Sequence, residues 1–85
     1  MTELKRIRLR HSPENRVDAI LFVDSAKERG PIYFVHLLHS DGEKKLFICL
    51  NVFFTEHVAE AYLNKVANAI EIWEDPDMEE EEEKA

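Results

Sequence analysis

The stretch from Pro31 to Phe54, PIYFVHLLHSDGEKKLFICLNVFF, constrains the fold most, because two apolar runs flank the dipeptide Asp41-Gly42. That dipeptide favours a two-residue type I′ loop, whose central residues both need φ > 0, so the runs read as the two strands of a hairpin. A loop centred there sets Leu37 opposite Leu46, Val35 opposite Ile48 and Tyr33 opposite Leu50. Alternation then places Tyr33, Val35, Leu37, Leu46, Ile48, Leu50, Val52 and Phe54 on one face. The other face takes Ile32, Phe34, His36, Leu38, Phe47, Cys49, Asn51 and Phe53. A three-residue loop with a Gly42 bulge shifts the pairing by one and mixes these sets, but both faces stay apolar in either register.

Upstream, Leu4 to Arg10 alternates, with Ile7 and Leu9 on one side and Arg6, Arg8 and Arg10 on the other. Like charges in a row repel inside a closed core, which makes this an edge strand. The arginine row reads either as a guard against edge-to-edge pairing or as a phosphate-contacting stripe. HSPEN, residues 11–15, is a turn, and VDAILFVD, residues 17–24, is an inner strand with Ile20, Leu21, Phe22 and Val23 apolar whichever face they take. SAKERGP, residues 25–31, is too short for a crossover helix, so the second and third strands are antiparallel neighbours.

Downstream, Thr55 suits a helix N-cap and Glu56 complements the helix dipole in the first turn. Ala59, Leu63, Val66, Ile70 and Trp73, with Tyr62 and Ala69 beside them, form one apolar stripe. The spacing predicts an amphipathic helix over about residues 56–74, stopped by Asp75-Pro76. A competing reading ends the helix near Asn68 and makes residues 69–74 a fifth strand, since Ile70 and Ile72 also fit period two. The fold class is therefore α+β: a four-stranded antiparallel sheet (β-β-β-β) followed by one long C-terminal amphipathic helix packed on one face. Residues 1–75 form the single domain, and 76–85 form a disordered acidic tail.

Charge is segregated in the same way. The net charge is −7, yet Glu71 to Ala85 holds nine acids and one Lys, so the body before it is close to neutral. Glu71, Glu74, Asp75, Asp77, Glu79, Glu80, Glu81, Glu82 and Glu83 can solvate the chain, cover the basic strand, or imitate a phosphate backbone toward a nucleic-acid-binding partner. With 85 residues the chain sits near the size at which burial is marginal and dimerisation helps. No apolar run approaches the roughly 20 residues needed to span a bilayer, and the N-terminus has no apolar signal core, so the expected location is the cytoplasm. Cys49 is the only cysteine, which excludes an intrachain disulfide.

Motifs for chemistry are sparse. The histidines at 11, 36, 39 and 57 have no metal-binding spacing, and the only glycines, Gly30 and Gly42, build no phosphate loop. His36 and Cys49, diagonal neighbours in the two-residue register, could form a thiol–imidazole pair, but a core His and an inert Cys among phenylalanines are the expected reading. No cofactor, metal or enzymatic activity is expected.

One helix can cover only one side of such a sheet. The aliphatic face is its natural seat, which leaves Ile32, Phe34, His36, Leu38, Phe47, Cys49 and Phe53 without cover. The expected function is a non-enzymatic protein-interaction module, dimeric through that aromatic face, which binds or inhibits a macromolecular partner in the manner of small acidic phage inhibitors or nucleic-acid mimics. The alternative is a single-stranded nucleic-acid-binding domain. The order of four strands and a helix over residues 4–74 resembles the PUR-repeat and PC4-like modules. That resemblance implies phosphate contacts from Arg6, Arg8 and Arg10 and base stacking on Phe34, Phe47, Phe53 or Tyr33.

Overall fold

A computed structural model of the chain describes residues 1–12 and 14–79. Four strands, β1 (Thr2–Ser12), β2 (Asn15–Ala26), β3 (Gly30–Ser40) and β4 (Lys45–Phe53), pair in sequence order, each antiparallel to the next. The helix α1 (Glu56–Glu79) follows. Short connections can join only adjacent strands, so the meander is the topology these turns allow. The first turn closes where Ser12 pairs with Asn15, and the Ser12 hydroxyl donates to the Asn15 carbonyl at 3.2 Å. The second closes at Gly30, whose φ of 76° lies where only glycine is unstrained.

The third turn differs in detail from the expected one. The Asp41 N–H donates to the Lys44 carbonyl at 3.2 Å, so the two central residues are Gly42 and Glu43 rather than Asp41 and Gly42. Of these two only Gly42 takes positive φ, at 101°, a backbone that glycine adopts without strain. This placement spares Asp41 a left-handed backbone and frees its carboxylate, which accepts from the N–H of Glu43 at 3.2 Å and of Lys44 at 2.9 Å. Moving the turn by one residue moves the register by two: Leu37 now opposes Ile48, and His36 opposes Cys49. Because side chains alternate with period two, the face lists survive near the turn.

They do not survive past Leu50. The register slips between Val35 and His36, leaving Leu50 as an extra residue on β4, after which Tyr33 opposes Phe53 and Phe34 opposes Val52. The expectation that Phe53 belongs to the uncovered face is thereby corrected: it packs on the core, with its ring centroid 5.2 Å from that of Tyr62. Val52 takes its place on the other face.

α1 lies on the face that carries Ile7, Leu9, Ala19, Leu21, Tyr33, Val35, Leu37, Leu50 and Phe53. Ala59 and Leu63 are fully buried against it, and Ala67 nearly so, while Ala69, expected beside the stripe, is exposed. Small residues at 59 and 67 let the helix axis approach the sheet, and Leu63 fills the gap between them at about 2 kcal/mol of burial. The Thr55 carbonyl accepts the Ala59 N–H at 3.0 Å, as expected of an N-cap position. Lys5 ties β1 to the helix by pairing with Glu60 at 3.2 Å.

The helix does not stop at Asp75-Pro76. It runs through Pro76 to Glu79, so residues 69–74 are helical and form no fifth strand. A proline inside a helix removes one N–H donor, but the remaining ladder can carry the backbone past it. Residues 80–85, including Glu80, Glu81, Glu82 and Glu83, lie outside the described residues, as do the side chains of Glu71, Glu74, Asp75, Asp77 and Glu79.

Candidate interaction surface

The face away from α1 is built row by row from the strand registers. Arg8, Asp18, Leu38 and Phe47 stand across the four strands in one row, and Arg6, Ile20, His36 and Cys49 in the next. Phe22, Phe34 and Val52 form a third row, and Asp24 and Ile32 a fourth. Of the seven β3 and β4 residues expected there, six share this face, with Ile32, Phe34, Leu38, Phe47 and Cys49 around His36; the seventh, Phe53, lies on the helix side. No element packs over them among the described residues.

Its large apolar side chains are graded in exposure. Ile20 is fully buried because Arg6 and His36 flank it within its row while Asp18 and Phe22 flank it along β2. Phe22, Ile32, Phe34 and Leu38 are half-buried, and toward β4 exposure rises to 54% for Phe47 and 41% for Val52. The face is therefore sealed by its own side chains at β2 and open at β4.

His36 sits within an aromatic ring set. Its centroid is 5.1 Å from Phe22 and 6.2 Å from both Phe34 and Phe47. Burial among these rings holds the imidazole below its usual pKa, because the charged form would lose water without gaining a partner. Its Nδ1 is buried with no hydrogen bond, and so is Asp18 Oδ1 two residues away along the face.

The thiol–imidazole pair is brought side by side rather than joined. Cys49 is directly opposite His36 and exposed, but its thiol donates to the Asn51 carbonyl at 3.8 Å.

The arginine row is split. Arg6 donates to Glu3 with Nε and Nη2, each at 3.0 Å, and to Asp18 with Nη1 at 2.7 Å. The bond to Glu3, and less so that to Asp18, raises the Arg6 pKa, and the bond from Arg6 holds Glu3 below the usual carboxylate range. Arg8 shares this face. Arg10 does not, because the register slips between Arg8 and Arg10 and sets Arg10 opposite Val17, on the helix side. A single-faced row of three arginines is therefore corrected to two.

Ile20, Phe22, Asp18 and Val52 were not assigned to this face from sequence. Asp18 and Asp24 share parity with Ile20 and Phe22 along β2, and that shared parity was the available signal.

Among the described residues, no group of three His, Cys, Asp or Glu is arranged to hold a metal ion, and no helix is long and apolar enough to cross a membrane. No family model, curated protein or solved structure matches the chain.

Proposed function

We propose that this chain is a non-enzymatic interaction module of the cytoplasm. It closes its helix-free sheet face against another protein surface, either a second copy of itself or a macromolecular partner that it binds and inhibits. The observation that supports this most is the patch of Phe22, Phe34, Leu38, Phe47 and Val52 around His36, an apolar surface that α1 leaves uncovered among the described residues. Contiguous aromatic and aliphatic side chains with a polar border are what a protein interface needs at its centre. Arg6, Glu3, Asp24 and Lys45 supply such a border.

Nucleic-acid binding has less support. Arg6 is already committed to two carboxylates, Arg10 is on the other side of the sheet by register, and Phe53 is packed against Tyr62.

The test is light scattering from about 1 to 200 µM, on the intact chain and on Val52→Lys. Val52 is exposed enough to take the charge without unfolding, so a loss of association of at least tenfold is expected. Association unchanged by that substitution, or a monodisperse monomer throughout, overturns self-closure of this face.

A further inference from the structure

The two edges of the sheet are not alike. β1 is protected as natural edges are: Lys5, Arg6, Arg8 and Arg10 line it, and the register slips twice along its length, at Leu4 and at Leu9. β4 has none of these devices between Leu46 and Cys49. Leu46 is 55% exposed, Phe47 54% and Ile48 40%, so apolar side chains are open to water on both faces of a strand that, among the described residues, has a neighbour on only one side. No lysine, proline or bulge interrupts this segment.

We infer that β4 is the edge along which two copies of this chain join, antiparallel across a two-fold axis, to form one eight-stranded sheet. This goes beyond closure of the aromatic face, because it joins the copies through the outward backbone groups of β4 rather than through that face.

The ladder sets the register. The Asp41–Lys44 bond marks a hydrogen-bonded position, and such positions alternate along an antiparallel pair. Leu46 and Ile48 therefore turn their backbone groups toward β3, and Lys45, Phe47 and Cys49 turn theirs outward. A two-fold pair must match outward groups with outward groups. The regular stretch Lys45–Cys49, bounded by the turn and by the extra residue Leu50, is symmetric about Phe47. Centring the axis there pairs Phe47 with Phe47 of the second copy and Lys45 with Cys49. On the helix side Leu46 pairs with Ile48, twice. Every exposed apolar residue of the stretch gains an apolar partner, and the lysines stand at opposite ends of the shared ladder rather than facing each other. A second copy is the occupant this edge fits, because the stretch complements its own reverse. The joined sheet also places two helix-free faces side by side, doubling the surface open to a partner.

A mixed sample of labelled and unlabelled chain tests the register by isotope-filtered NMR. A short Hα–Hα contact between Leu46 of one copy and Ile48 of the other is expected, as is slowed amide exchange at Lys45, Phe47 and Cys49 that increases with protein concentration. Packing through the aromatic face can slow exchange at Phe47 and Cys49 but produces no Leu46–Ile48 Hα–Hα contact, so that contact is the deciding signal. The absence of the Leu46–Ile48 contact in a sample shown to be dimeric, or a chain that stays monomeric, overturns edge pairing. Val52→Lys lies outside the stretch and leaves both signals in place, so the two readings fail separately.

Discussion

Arg6 and Asp18 reach each other diagonally across β1 and β2, with Nη1 donating to Oδ2 at 2.7 Å, while Oδ1 of the same carboxylate is buried without a partner. The carboxylate is almost wholly enclosed, whereas the guanidinium is about one-third exposed, at 32%. Removing the arginine strands a charge that water reaches poorly. Arg6→Ala is expected to destabilise the fold by about 2 kcal/mol, below the usual loss for a fully buried pair because Arg6 is partly solvated. Arg6→Lys restores less than half of this, since an ammonium cannot hold Glu3 and Asp18 with one fork. Urea midpoints of the three proteins check both statements.

Burial among phenylalanines gives His36 a pH signature. The unfolded chain takes up a proton on this imidazole near pH 6.5, and the folded chain only at lower pH. Between those values the unfolded state binds more protons, so stability falls as pH drops through the window and levels off below the folded value. His36→Gln removes that slope. Glu3, held low by Arg6, and Asp41, held low by the N–H groups of Lys44 and Glu43, lose their contributions only at more acidic pH, below their ordinary values of 4.5 and 3.8. Denaturation midpoints from pH 7.5 to 5 isolate the histidine.

The extra residue on β4 makes Phe53 and Val52 exchange faces. Phe53→Ala therefore removes a ring packed at a tilt against Tyr62 and is expected to cost about 3 kcal/mol. Val52→Ala, at a position 41% exposed, is expected to cost well under about 1 kcal/mol. Equal losses, measured by thermal or urea unfolding, would contradict the observed register.

At the β3–β4 turn the backbone depends on glycine. Gly42→Ala forces a Cβ onto a φ of 101° and is expected to cost about 1–2 kcal/mol. Asp41→Ala leaves the N–H groups of Glu43 and Lys44 to water and is expected to lower the urea midpoint by less than Gly42→Ala does. An unchanged urea midpoint for Gly42→Ala would refute the turn geometry.

The sequence by itself determined the order of elements and their pairing. Alternation along residues 4–10 and 31–54, short polar connections and an apolar stripe from Ala59 onward allow little besides a meander with one helix. Parity also placed Ile32, Phe34, His36, Leu38, Phe47 and Cys49 on one face, because an error of two in register leaves period-two faces unchanged. Only the tertiary structure decided where that parity breaks. An extra residue at Leu50, and slips at Leu4 and Leu9, depend on how a twisted strand fits its neighbour, which no local pattern records. Those slips moved Phe53 into the core and Arg10 across the sheet. They also add to the charged side chains that guard β1, whereas β4 stays regular and apolar from Leu46 to Cys49.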